Sequence, residues 1–144
     1  MIMYRSILVP VDLGHQRSSS PGLAVAGELA RLHSAEVHIV NVVPPMGYPL
    51  VGSFFPADFE ERAVEEAKVK LAEFANAHTP EGITPKLHVA HGTIYEEILR
   101  AADTLRVDLI VMTAHRPELK DYLIGPNAAR VVRHAKQSVF VVRE

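Results

Sequence analysis

Continuous apolar runs alternate with amphipathic stretches along the whole chain. The runs are rich in valine and isoleucine and mostly lack a polar residue at every second position, which is typical of strands buried on both faces of a parallel sheet. They predict strands at Ser6–Val11, Glu36–Val43, Lys86–Ala90, Val107–Thr113 and Ser138–Arg143. Strands that alternate with helices imply an open parallel sheet with right-handed crossovers and helices on both faces, an α/β fold of the Rossmann-like kind.

The stretches between these runs carry apolar residues at helical spacing. They predict helices over Pro21–His33, over Ala57–His78, over the segment that carries Ile94, Ile98, Ala101 and Leu105, and over Asn127–Ala135. Pro21 suits the first turn of its helix, because a proline there removes no helical hydrogen bond. Asp12–Ser20 is polar and predicts a loop with solvated serines. The proline-rich Pro44–Pro56 predicts an irregular loop that either covers a site or serves a partner.

Composition narrows the class of protein. A chain of 144 residues is predicted to form one domain, residues 1–144. The formal charge of −2 argues against a nucleic-acid surface, and no apolar stretch approaches the roughly 20 residues of a membrane span. The absence of cysteine excludes disulfides and cysteine zinc sites and fits a reducing compartment. These features predict a soluble cytoplasmic protein that binds neither nucleic acid nor membrane.

The candidate chemistry lies where the predicted strands end. Ligands of open parallel sheets bind beyond the carboxyl ends of the strands, where the strand order reverses. The residues expected there are Pro10, Val11 and Asp12 after the first strand, Asn41 and Val42 at the second, and Thr113, Ala114, His115 and Arg116 at the fourth, followed by the loop to Gly125. This arrangement sets backbone amides and a helix N-terminus beside an anion.

Several of these residues have two interpretations. Asp12 either accepts hydrogen bonds from a ribose or caps a turn. Gly125 caps the next helix, lets a phosphate approach the backbone, or does both, and Pro126 suits the first helical position but lacks an N–H. Arg116 and His115 either face a bound anion or stay solvated and brace the loop. The other histidines lack the tight spacing of metal ligands, so a metal site made by protein alone is not expected.

Four segments together carry a resemblance to a known family. They are SILVPVDL at the first strand, NVV at the second, HGTIYEEIL, and VDLIVMTAHRP with YLIGPNAARVVRHAKQSVFVVR. Across essentially the whole chain they resemble the universal stress protein family, and most of all its small bacterial members with a histidine-arginine-proline loop. The resemblance implies a five-stranded parallel sheet of order 3-2-1-4-5 and a homodimer that pairs through the last strand, Ser138–Arg143.

The resemblance also implies an adenine-nucleotide site. Pro10, Val11 and Asp12 would face base and ribose, and Val42 would lie near adenine. The phosphate side would be lined by Thr113, His115, Arg116, Gly125, Pro126, Asn127 and Ala128. The implied ligand is ATP or AMP, and Mg²⁺ or Mn²⁺ would enter only through the nucleotide phosphates.

The family's phosphate motif, G-x2-G-x9-G-[ST], is altered in this chain. Thr113 and Arg116 stand where its first two glycines align, eight residues rather than nine precede Gly125, and Pro126 replaces the final hydroxyl residue. The function implied is a regulatory nucleotide-binding protein of the stress response, with at most slow ATP hydrolysis. The alternative is a nucleotide-free dimeric interaction module. A synthetase-like enzyme ranks third, because VDLGHQRSSS lacks the SGGxDS loop of such enzymes.

Overall fold

A computed structural model describes residues 3–45, 58–114 and 126–143, and within these ranges it describes residues 15–18 by their backbone. Its strands are β1 (Ser6–Pro10), β2 (Glu36–Val43), β3 (Lys86–His91), β4 (Leu109–Ala114) and β5 (Ser138–Arg143), and its α-helices are α1 (Gln16–His33), α2 (Phe59–His78), α3 (Ile94–Thr104) and α4 (Pro126–His134). Within these ranges no helix is long and apolar enough to cross a membrane.

The strands form one parallel sheet of order β3-β2-β1-β4-β5, which confirms the predicted fold class and strand order. The chain runs outward from β1 to β3 on one side and then returns to place β4 on the other side of β1. Strand order therefore reverses between β1 and β4. A crevice at the carboxyl ends of those strands is the position where open parallel sheets bind ligands.

The side chains of the sheet alternate between two apolar layers. Ile7, Val9, Ile39 and Val111 pack against α1 and α2 on one face, here called the α1 face. Leu8, Val40, Ile110 and Met112 pack against α3 and α4 on the other, here called the α4 face. Because both faces are covered, the central strands need apolar residues at every position, and this explains the continuous apolar runs.

The start of α1 differs from the prediction. The expected loop over Asp12–Ser20 is wrong, since a 3-10 turn spans Leu13–His15 and the helix begins at Gln16. Pro21 consequently lies inside the helix and not in its first turn. Serines compete for backbone hydrogen bonds and so favour loops in an isolated sequence. Here the Ser19 side chain is buried and bonded to Asp12, two residues beyond β1, which ties this segment to the sheet.

The other boundaries shift by a few residues. β2 and β5 span the predicted residues, and β3 extends one residue further, to His91. β4 begins at Leu109 rather than Val107, and just before it the Asp108 carboxylate accepts hydrogen bonds from the backbone amides of Arg5 and Ser6. Most of the predicted loop Pro44–Pro56 lies outside the described residues.

Candidate functional site

A cavity of about 310 Å³ opens at the carboxyl ends of β1, β2 and β4, where the strand order reverses. Its volume falls at the lower end of the range of about 300–1,000 Å³ that is usual for small-molecule sites. The lining residues are Pro10, Val11, Asp12, Ser19, Val40, Asn41, Val42, Pro44, Ile94, Ile98, Met112, Thr113, Pro126, Asn127 and Ala128. The lining is largely apolar, with a few polar groups placed around it, which is the character of a ligand site.

Asp12 lines this cavity and is held there by hydrogen bonds to Ser19 and Gly14. Its backbone N–H donates to Ser19 Oγ over 2.9 Å, and its Oδ1 accepts from the Gly14 backbone N–H over 2.9 Å. The carboxylate therefore caps the turn after β1, as one of its two interpretations predicted. An ionised carboxylate has about four acceptor positions on its two oxygens, so capping leaves acceptor capacity for a ligand hydroxyl.

Asn41 of β2 holds the end of β1 in place through a side-chain hydrogen bond. Its buried side-chain amide donates from Nδ2 to the Val11 backbone carbonyl over 3.0 Å. The Val11 N–H in turn donates to the Val40 carbonyl over 2.9 Å. Both backbone polar groups of Val11, the N–H and the carbonyl, are therefore hydrogen-bonded. These bonds fix the backbone just before Asp12 and so orient Asp12.

The N-terminus of α4 forms another part of the wall. Pro126, Asn127 and Ala128 line the cavity, and Ala128 is buried against the sheet. No acidic residue lies in the first turn, whereas Arg133 and His134 lie in the last turn. This charge pattern matches the helix dipole, whose positive end favours anions. Pro126 supplies no N–H, so Asn127 and Ala128 offer the first amides of this wall.

The eight predicted site residues that the structure describes line this one cavity. They are Pro10, Val11, Asp12, Val42, Thr113, Pro126, Asn127 and Ala128. His115, Arg116 and Gly125 lie outside the described residues. The cavity establishes that the eight are close together. Their contacts with a nucleotide stay predictions.

Sequence reasoning assigned no role to several other lining residues. Ser19 fell in a stretch predicted as solvated loop, and no periodicity marks its contact with Asp12. Ile94 and Ile98 were predicted to lie on one helix face, yet nothing in that spacing shows that their helix borders the cavity. Asn41 was expected at the strand end, but its bond to Val11 depends on the β1–β2 pairing.

The described residues with clear pKa shifts lie away from the cavity, at the start of β2 and on β3. Burial, together with the nearby His38 and Lys86, lowers the pKa of His88. A hydrogen bond from Lys86 and its charge lower the pKa of the Glu36 carboxyl. Across the described ranges no three histidine or acidic side chains come close enough together to hold a metal ion.

Comparison with known proteins agrees with this architecture. The family model described as "Universal stress protein family" matches residues 3–143. "Universal stress protein G" of Shigella flexneri is 32% identical over 144 residues, which cover 98% of this chain and all of the relative. The solved structure of the hypothetical protein MJ0577 is 26% identical, has a TM-score of 0.81, and is matched over 99% of this chain and 98% of its own.

Two further solved structures of similar fold contain a nucleotide. A universal stress protein in complex with cAMP has a TM-score of 0.74 at 21% identity, with 98% of each chain covered. The universal stress protein from Archaeoglobus fulgidus in complex with dAMP has a TM-score of 0.64 at 21% identity, covering 98% of this chain and 99% of that one. At this identity the two structures establish a shared fold. From the family model and the full-length relative, the chain belongs to the universal stress protein family.

Proposed function

We propose that this protein binds an adenine nucleotide, ATP or AMP, as a regulatory ligand of the stress response. The observation that carries the proposal is the cavity at the point where strand order reverses, lined by every described residue that sequence reasoning assigned to a nucleotide. The cAMP and dAMP complexes of two proteins with this fold support the same ligand class.

The lining suits the three parts of a nucleotide in turn. Val42 offers an apolar surface for the base, and Asp12 offers acceptors for ribose hydroxyls. The start of α4 offers amides and a positive dipole end for phosphate. Arg116, which follows the described part of β4, would add a charged donor in place of the motif glycines. Mg²⁺ or Mn²⁺ would then arrive with the phosphates.

The lining supports binding better than catalysis. Among the described lining residues Asp12 is the only side chain that carries a formal charge at neutral pH, and one of its oxygens already caps a turn. A general base for hydrolysis needs to reach the attacking water, and phosphoryl transfer needs cationic groups around the phosphates. We therefore infer that ATP hydrolysis, where it occurs, is slow.

The nucleotide-free interaction module is the second candidate. Pro126 takes away one amide at the phosphate wall, and Thr113 stands where the motif has glycine, so these two residues favour it. The homodimer belongs to both candidates. β5 is an edge strand whose Phe140 side chain is 45% exposed, and an apolar edge strand is suited to pairing with a second copy.

Mass spectrometry of small molecules released from the purified protein tests the proposal, together with calorimetric titration of ATP, AMP and cAMP with and without Mg²⁺. The expected result is a co-purified adenine nucleotide, or binding of ATP or AMP well below millimolar. If no nucleotide co-purifies and none binds below millimolar, the interaction module becomes the better description. Preferential binding of cAMP would change the ligand and keep the nucleotide class.

A further inference from the structure

Gly22 of α1 packs against Thr113 at the end of β4 with no room for a side chain. A Cβ on Gly22 would lie 2.5 Å from Thr113 Oγ1, which is closer than real Cβ contacts. The same Cβ would lie 3.8 Å from Thr113 Cβ, an ordinary van der Waals distance. The hydroxyl of Thr113, and not its Cβ, therefore fills the space that glycine leaves open.

Thr113 lies at the position where the family motif has its first glycine, and the alternation of β4 sets the direction of its side chain. Leu109 and Val111 belong to the core on the α1 face. Thr113 follows two residues later and contacts Gly22 on that same face, because successive strand residues point to opposite faces. The start of α4 lies on the other face, with Met112. The Thr113 side chain is thus directed away from the helix that forms the phosphate wall.

The residues of α1 at this contact have low intrinsic helix propensity. Pro21 and Gly22 are the two poorest helix formers, and they stand in succession inside α1. Alanine at position 22 would stabilise the helix more than glycine if helix propensity were the only factor. Residues that break a local rule are expected where a functional site demands them.

We propose that Gly22 is a positioning residue for the nucleotide cavity. Because Gly22 has no side chain, the Thr113 hydroxyl fits on the α1 face. The ligand side of β4 is then left free at position 113, although this chain has threonine there instead of the motif glycine. This inference rests on the proposed nucleotide binding. Helix α1 thus contributes to ligand binding through the packing of Gly22 against Thr113.

The test combines each of Gly22→Ala and Gly27→Ala with Thr113→Ala and compares these two double variants with the single variants. Calorimetric titration measures the affinity for ATP and AMP, and urea unfolding measures stability. Gly22→Ala forces Thr113 to turn about its Cα–Cβ bond or pushes α1 off β4, so ATP should bind about tenfold more weakly. Thr113→Ala removes only the atoms beyond Cβ, so the Gly22→Ala/Thr113→Ala protein should bind within about threefold of the Thr113→Ala protein.

Gly27→Ala is the matched control, because a Cβ at Gly27 would lie 2.5 Å from Pro80 Cγ at a contact that lies outside the cavity lining. Gly27→Ala should lower stability without changing the ATP affinity of the folded protein, and Thr113→Ala should not restore that stability.

Equal ATP affinity of wild type and Gly22→Ala would overturn the positioning role alone, and so would a failure of Thr113→Ala to restore binding. A wild type that binds neither nucleotide would overturn the proposed function and the positioning role with it. If Gly22→Ala does not fold, the double variant decides. Recovery of folding and of ATP binding in that protein supports the role, and loss of either one overturns it.

Discussion

The Nδ1 atom of His38 lies 2.9 Å from the Nε2 atom of His88, across the pairing of β2 with β3. The His38 side chain is buried, and its Nε2 lies 3.4 Å from a Glu36 oxygen, while Lys86 bonds to the other oxygen of that carboxylate. One imidazole proton is enough to make the bond between the two rings. Protonation of both rings would place two positive charges together beside Lys86.

Stability should therefore fall as the pH drops through the range in which unfolded histidine takes up a proton. The pKa of His88 is lower in the folded chain than its ordinary value of 6.5, so the unfolded chain binds the proton first. The contribution of His88 is fully present above about pH 6.5 and is lost below it, toward the folded pKa. Urea unfolding of wild type and His88→Gln at pH 7.5, 6.5 and 5.5 measures this, because the variant should lose less stability over that range.

His78→Gln is the control for this series, since it removes an exposed histidine from the end of α2. Glu36 stays charged throughout, because its pKa lies below its ordinary value of 4.5. Parallel pH curves for wild type and His88→Gln would contradict the prediction.

Asn41→Ala should lower the free energy of unfolding by about 1–3 kcal/mol, because it leaves the buried Val11 carbonyl without the amide that bonds to it. The same variant should weaken nucleotide binding, since the end of β1 carries Asp12. Asn76→Ala, on the exposed side of α2, is the matched control and should stay within about 0.5 kcal/mol of wild type. Urea denaturation measures both, and an Asn41→Ala loss as small as that of the control would contradict the role of this bond.

Asp12→Asn should weaken ATP, AMP and adenosine by a similar factor of about ten, because the ribose is common to all three and a charged acceptor is lost. The amide oxygen can still accept from Gly14, so the turn after β1 is retained. Asp103→Asn is the control, since Asp103 is exposed at the end of α3 and bonds to Gln137. Calorimetric titration decides, and a selective loss of ATP over adenosine would move Asp12 to the phosphate side.

Arg116→Ala should weaken ATP about tenfold while adenosine changes by less than about twofold, if this arginine replaces the contacts of the motif glycines. Arg62→Ala removes an exposed arginine of α2 that pairs with Asp58, and it should leave both affinities unchanged. Calorimetric titration of ATP and of adenosine into each variant measures both affinities. Equal losses for ATP and adenosine in Arg116→Ala would place Arg116 outside the phosphate site.

Phe140→Lys should shift the proposed homodimer toward monomer by placing a charge on the exposed apolar side of the β5 edge. Leu32→Lys is the control, because Leu32 is 75% exposed on α1 and lies on a different element. Sedimentation velocity over a range of concentrations measures the effect, with circular dichroism to establish that both variants fold. A Phe140→Lys protein that remains as dimeric as Leu32→Lys would exclude pairing through this face of β5.

The strands were predictable because each is a short apolar run, and a run such as Ile7–Val9 needs apolar partners on both faces of a sheet. The start of α1 was not predictable in this way. Its serines favour a loop by local propensity, whereas in the structure the buried Ser19 side chain bonds to Asp12 and lies in the first turns of a helix. All eleven candidate site residues stay predictions as nucleotide contacts, and three of them, His115, Arg116 and Gly125, also lie outside the described residues.

The sequence by itself determined the alternation of strands and helices, since buried runs and amphipathic stripes are local patterns. It also determined the family, because the matching segments extend over nearly the whole chain. Tertiary structure alone decided that Asn41 bonds to Val11, that Ser19 bonds to Asp12, and that Gly22 makes room for Thr113. These pairs are joined by strand pairing and by the packing of α1 on the sheet, which no local pattern records.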